Sequence, residues 1–315
     1  MWGMTDEKRL AMLKWRDGIV DLVLDTDAAT EVDDPFAIAY LLLSPERFRL
    51  QAIYAAPFAM NERTQDPAEG MEMSYEEILH IMRLCHKDQV CPVYRGAKKW
   101  LTEKTEEEIV QIRSGRVWSG SEAAEDLIRR SKKYTSENPL YVLGIGAGTN
   151  LALALLKDPS IVERIVIIWL AGDDFQNSPN VYNVYQDRRA AQIILNSGVP
   201  LVYVPCNYVT SHMITSVPEL EACIGGKNEL CNYLIKIVRE YGADLFAWGK
   251  TIWDLGAAGI LYKKEWSQWE VRSVPMITEQ LTFSFSPDRP LIACVRSLDR
   301  DEIFRDAFWK FGKVK

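Results

Sequence analysis

Residues 165–170 read IVIIWL, six apolar side chains in succession. A half-exposed strand alternates apolar with polar positions, so an unbroken apolar run of this length belongs to a strand covered on both faces. Near-continuous apolar runs recur at 19–24 (IVDLVL), 50–56 (LQAIYAA), 140–144 (LYVLG) and 200–204 (PLVYV). Helical patterns separate them, at 74–86, 122–132, 150–157 and 188–197. Strand and helix alternating in this order predict an α/β fold, a mostly parallel central sheet with helices on both faces. Such sheets place their functional residues beyond the carboxyl ends of the strands. The segments just after the strands are therefore where chemistry is sought.

No low-complexity linker or internal repeat divides the 315 residues. We expect a helical extension over 1–18, carrying an amphipathic segment at 5–16 (TDEKRLAMLKWR), and one domain over 19–315. Two stretches read as irregular, 57–73 (PFAMNERTQDPAEGMEM) and 172–182 (GDDFQNSPNVY). A formal net charge of -7 argues against a nucleic-acid partner, because phosphate binding needs a basic face. Charges throughout the first eighteen residues lead us to expect no secretory leader. No run of about 18 apolar residues predicts a membrane helix. The six cysteines form no CxxC pair and no zinc spacing. They read as reduced, mostly buried thiols of a cytoplasmic protein.

The strongest chemical signal is VLDTDAATEVDDPFAIAYLL, which begins inside the first apolar run. A strand ends in Asp25 and Asp27, a short loop follows, and Asp33 and Asp34 open an apolar helix. Four carboxylates within ten residues repel one another, and burying them without partners is very unfavourable. A solvated acidic turn with a helix cap accommodates one such residue. Four of them after an apolar strand point instead to a hard divalent cation, and Ca²⁺ and Mg²⁺ both take oxygen ligands of this kind.

This pattern resembles the nucleoside hydrolase family, which includes inosine–uridine-preferring enzymes and opens with DxDPGxDDAxAL after an apolar strand. The loop here, AATEV, is two residues longer, and Ala28 to Ala37 are more similar to a divergent branch with DTDAxNEIDDQFAL. Further segments extend the resemblance over most of the chain. LGIGAGTNLALAL resembles TGxLTNIALAL, Val181-Tyr182-Asn183 with Gln186-Asp187 resembles EFN…DP, and TIWDLGAAGILY resembles HDPxAVAY. The stretches 56–78 (APFAMNERTQDPAEGMEMSYEEI) and PCNYVTSHMITSVPEL resemble the divergent branch.

The resemblance implies a Rossmann-related fold and a metal-dependent hydrolase that cleaves the N-glycosidic bond of ribonucleosides to ribose and free base. It implies a metal site of Asp27, Asp34, Asp254 and the Ile145 carbonyl, with Ca²⁺ as the ion and Mg²⁺ as the other candidate. Asp27 is then also the base for the attacking water. Asp33, Asn61 and Asn183 are implied ribose contacts, Trp253 a pocket residue, and Asp25 and His212 supporting residues. The implied partner is a small riboside, and family members are commonly homodimers or homotetramers.

Three positions depart from the family. Val181 stands where a ribose-binding Glu is usual, Trp253 where the commonest subgroup has a catalytic His, and Thr30 where the branch has Asn. Indole cannot protonate a leaving base, so Tyr182 and Tyr185 remain as candidate acids, and the preferred base stays open. These departures keep a riboside-binding protein without turnover in view. Asp25-Thr-Asp27 also resembles the DxDx[TV] motif of haloacid dehalogenase phosphatases, although Thr30 falls one place too late. Gly144, Gly146 and Gly148 lack the last Gly of GxGxxG and read as a tight strand-to-helix turn, not a dinucleotide loop.

Overall fold

The computed structural model describes residues 4–175 and 178–315. The chain forms strands β1 (Val20–Thr26), β2 (Phe48–Ala55), β3 (Val93–Arg95), β4 (Leu140–Gly144), β5 (Ile165–Leu170) and β6 (Leu201–Val204). The carboxyl-terminal third adds β7 (Ile214–Thr215), β8 (Lys250–Thr251), β9 (Ser267–Ser273), β10 (Met276–Ile277), β11 (Phe283–Ser284) and β12 (Leu291–Leu298). Eight of these make one sheet in the order β3-β2-β1-β4-β5-β6-β12-β9. All its neighbours are parallel except β12 and β9. The mostly parallel α/β sheet read from the apolar runs is therefore what the chain builds.

Every residue of β5 and β6 is buried, as their unbroken apolar sequences require. The helix Asp34–Leu42 is buried at all nine positions. It is apolar all round because it packs against the sheet and the helices Trp253–Gly259 and Arg300–Phe311. The chain leaves β1 on both sides: β2 and β3 lie to one flank, β4, β5 and β6 to the other. This reversal of strand order opens a crevice at the carboxyl ends of β1 and β4. Register brings Asp25 level with Gly144, and the Ile145 N–H donates to the Asp25 carbonyl at 2.9 Å.

Element boundaries shift in places, for identifiable reasons. The helix expected at 74–86 runs from Pro67 to Leu84, so much of the stretch read as irregular is helical. Asp66 accepts from the Ala68 N–H and Pro67 follows it, a cap-and-start pair that precedes the apolar periodicity. The segment at 5–16 is helical over Asp6–Met12. Of the stretch 172–182, the described residues before Tyr182 lack regular structure, Tyr182 begins the short helix Tyr182–Tyr185, and positions 176–177 lie outside the described residues. Strand β3 is three half-buried residues, too short to show a pattern. Strand β9 is an edge strand with exposed Glu270 and Val271 and so lacks an apolar run.

One buried amide ties several segments together behind the crevice. Asn150 donates to Asp25 Oδ1 at 2.8 Å, while its Oδ1 accepts from the Ala97 N–H at 2.9 Å and from Ser121 Oγ at 2.8 Å. Replacing Asn150 by Ala strands a buried carboxyl and a buried N–H. Asn150→Ala is expected to lower stability by about 3 kcal/mol. The check is the midpoint of urea unfolding against wild type at equal slope; an unchanged midpoint contradicts the assignment.

Candidate functional site

The crevice holds a cavity of about 250 Å³. Its floor comes from the ends of β1, β4, β5 and β6 and from the starts of two helices. Asp27 follows β1, Ile145 follows β4, Leu170 ends β5, and Cys206 and Asn207 follow β6. Asp33 caps and Asp34 begins the helix Asp34–Leu42, and Trp253 and Asp254 begin the helix Trp253–Gly259. Helix N-termini present unpaired N–H groups and positive dipole ends, which suits the placement of carboxylates there.

Asp33, Asp34 and Asp254 converge, with one carboxylate oxygen from each lying within 4.8 Å of the others. All three are buried. Asp27, also buried, lines the same cavity. Gly146 must lack a side chain here, because a Cβ would stand 2.8 Å from Asp27 Oδ1. Two threonines fix the acids: Thr26 Oγ1 donates to Asp34 Oδ1 at 2.5 Å, and Thr30 Oγ1 to Asp27 Oδ2 at 3.0 Å. Burial first, and the Asp33 charge second, push the Asp34 carboxyl up to about 7. Burial and then the Asp34 charge raise Asp27 well above the usual carboxylate range. Asp254 is raised likewise by burial, then by Asp33, Asp34 and Asp27.

Of the residues expected from sequence, Asp27, Asp33, Asp34, Ile145, Asn183, Trp253 and Asp254 share this one cavity. Asn183 donates from Nδ2 to the Ile145 carbonyl at 2.9 Å and to the Leu170 carbonyl at 3.0 Å, joining the ends of β4 and β5. Asp25 sits behind the cavity, fully buried, with Oδ2 unpartnered and its carboxyl raised to about 7 by burial. Asn61 and His212 do not line it. Asn61 closes its own turn by accepting from the Arg63 and Thr64 N–H groups and donates to the Tyr182 hydroxyl at 3.1 Å. His212 is exposed, with Nδ1 3.1 Å from the Val209 carbonyl.

Sequence reading passed over Glu31 and Lys250. Glu31 lies in the lengthened loop and lines the cavity. Lys250, on β8, is only 4% exposed, pairs with Glu31, and stands 3.6 Å from Asp33 Oδ1. Burial alone would lower its ammonium; Asp33 and Glu31 outweigh that and hold it charged. A single Lys more than two hundred residues from Asp33 carries no motif, so only the β7–β8 pairing reveals it. Chemically, the assembly offers hard anionic oxygens for a divalent cation, a wall of hydrogen-bonding groups for hydroxyls, and apolar surface from Leu170, Val181 and Trp253.

The family model described as inosine-uridine preferring nucleoside hydrolase matches residues 22–302. "Probable uridine nucleosidase 2" of Arabidopsis thaliana is 26% identical over 238 residues, a stretch covering 70% of this chain and 69% of that protein. A plant nucleoside hydrolase of known structure superposes with a TM-score of 0.72 at 19% identity, covering 93% of this chain and 99% of that one. The purine-preferring ribonucleoside hydrolase from Gardnerella vaginalis superposes at 0.66 with 20% identity, covering 93% and 98%. At such identities the two superpositions speak for the fold.

Without a cation, the raised carboxyls make stability depend on pH in a defined direction. Asp25 and Asp34 titrate near 7 when folded, against about 4 when unfolded. The folded state thus binds more protons between those values, and stability falls as pH rises through that window. In chelator, the melting temperature is expected to drop from pH 5 to pH 7.5. Added Ca²⁺ should raise it far more at pH 7.5 than at pH 5. Scanning calorimetry at both values tests this, and a calcium effect independent of pH contradicts it.

Proposed function

The chain belongs to the inosine-uridine preferring nucleoside hydrolase family, and from that premise we propose that it hydrolyses the N-glycosidic bond of ribonucleosides in a divalent-cation-dependent reaction. The observation that carries this reading is the convergence of buried Asp33, Asp34 and Asp254 beside Asp27 in one cavity. A buried set of oxygens this acidic fits a hard cation and little else. Asp27, Asp34, Asp254 and the Ile145 carbonyl would hold it. Asp33 is left for the sugar, because Lys250 at 3.6 Å already competes for its charge. Ca²⁺ and Mg²⁺ both suit these donors, with Ca²⁺ favoured by the family resemblance. The bound ion would lower the pKa of a water and neutralise part of the acidic cluster.

The chain's own residues account for the rest. Asp27 accepts the proton of the attacking water, held in place by Thr30. Asp33 accepts from ribose hydroxyls and selects ribose over deoxyribose. The carboxylates stabilise the positive charge that grows on the sugar as the C1′–N bond breaks. Asn183 positions the Ile145 carbonyl and closes the sugar's side of the cavity. Among relatives, the name uridine nucleosidase supports pyrimidine ribosides among the substrates. Nothing in these comparisons supports the phosphatase reading or the reading as a binding protein without turnover.

Asp34→Ala is expected to lower ribose release at least about a thousandfold and to abolish calcium stabilisation. Reducing-sugar assays on inosine and uridine, with and without chelator, supply the measurement. Unchanged turnover in this variant, or turnover indifferent to chelation, defeats the proposal. Tight riboside binding with no release favours the binding-protein reading instead.

A further inference from the structure

We propose that Lys250, acting with Glu31, is a positioning residue that keeps Asp33 outside the cation's shell and available to the sugar hydroxyls. This rests on the hydrolase reading and deepens it, by naming what gives the acids of the cavity different tasks. That division needs a cause. Asp33, Asp34 and Asp254 each bring one carboxylate oxygen within 4.8 Å of the others, so distance alone would let Asp33 take the ion. Asp33 caps the helix Asp34–Leu42 without a side-chain cap bond, and its own helix therefore does not hold the carboxylate back.

The first ground is where the nearby ammonium stands. No Lys, Arg or His lines the cavity among the described residues. Lys250 approaches from behind, on β8, with its side chain and that of Asp33 each 5% exposed. Among the described residues it pairs with Asp33 and Glu31, and with none of Asp27, Asp34 and Asp254. Charges this far from water are weakly screened. Repulsion between the ammonium and a divalent ion is therefore strongest for an ion seated on Asp33.

The second ground is how the ammonium is held. Lys250 Nζ donates to Glu31 Oε2, whereas its 3.6 Å from Asp33 Oδ1 is too long for a hydrogen bond. Asp33 thus gains a counter-charge while its lone pairs stay open to hydroxyl donors. The Tyr241 ring covers another side of the ammonium, its centroid 5.1 Å from Nζ. Glu31 belongs to the lengthened loop AATEV, and β8 is fixed by the pairing of Lys250 with Thr215. The loop and the β7–β8 pair together hold the ammonium just short of Asp33.

The third ground is the contrast with two of the acids left for the ion. Asp34 and Asp27 are restrained by the hydroxyls of Thr26 and Thr30. Those donors carry no charge and do not repel a cation. Asp33 alone among these three has an ammonium for a neighbour.

The test titrates calcium into the chelator-treated whole protein by isothermal calorimetry, and measures KM and kcat for uridine. Lys250→Met should bind calcium at least about tenfold tighter, because a positive charge beside the site is gone and Asp33 joins the ion. Its KM should rise at least about tenfold while kcat falls less than about threefold, the pattern of a lost substrate contact. Lys250→Arg keeps the charge and should hold calcium affinity within about threefold of wild type. Glu31→Gln releases the ammonium onto Asp33 and should raise KM at least about threefold; it decides the matter if Lys250→Met fails to fold. Calcium bound no tighter by Lys250→Met, or an unchanged KM in Glu31→Gln, overturns the inference. Absence of ribose release from the wild type sinks the hydrolase reading instead. The calcium titration needs no turnover, so the two failures stay distinct.

Discussion

Mutual repulsion among buried carboxylates is the constraint around which this molecule is arranged. Asp27, Asp33, Asp34 and Asp254 are all nearly inaccessible and share one cavity. Burial disfavours their charged forms, and each charge disfavours the next. Alone, such a cluster holds protons instead of charges. With a divalent cation, it becomes a rigid anionic cage whose members are already in place. Folding therefore holds together an electrostatic arrangement that protonation or a bound cation relieves, a common physical origin of perturbed acids at functional sites.

The surrounding structure makes that arrangement tolerable. Thr26 and Thr30 each donate to one acid, helix starts face Asp34 and Asp254, and Lys250 stands against Asp33. Beneath them, Asn150 anchors Asp25 to two points of the connection between β3 and β4. Asp187 does similar work nearby, accepting from the Leu101 N–H at 2.7 Å and Thr149 Oγ1 at 2.8 Å. These contacts explain why a crevice of irregular loops holds its shape. Asn150 and Asn183 tie such loops to the carboxyl ends of strands.

Glu31 and Lys250 give the cavity its particular character. The lengthened loop after Asp27 brings an additional carboxylate into the wall, and Lys250 holds it. Trp253 occupies the helix start beside Asp254, where it adds an aromatic face and no proton donor. One side of the cavity is thus rich in charge, while Leu170, Val181 and Trp253 make another side apolar and aromatic.

Much of this was legible in the linear order of residues. Short β-branched apolar runs without alternation, separated by helical patterns, read as strands covered on both faces, so the parallel sheet followed from IVIIWL and its fellows. Asp25, Asp27, Asp33 and Asp34 were visible because strand end, loop and helix start are adjacent in the chain, and their repulsion demanded a common explanation. Asp254 was legible only through resemblance. Lys250, Glu31 and the tie from Asn183 to Ile145 were not legible at all, and Asn61 and His212 proved to stand apart from the cavity. Contacts across two hundred residues leave no periodicity and no spacing. By itself, then, the sequence determined the sheet, the acidic strand end and the apolar helix behind it, since these depend on local order and burial. Only the tertiary structure decided which distant carboxylates meet, that Lys250 stands against them and which side chains line the rest of the cavity, because the crossing of strand order brings those groups within reach.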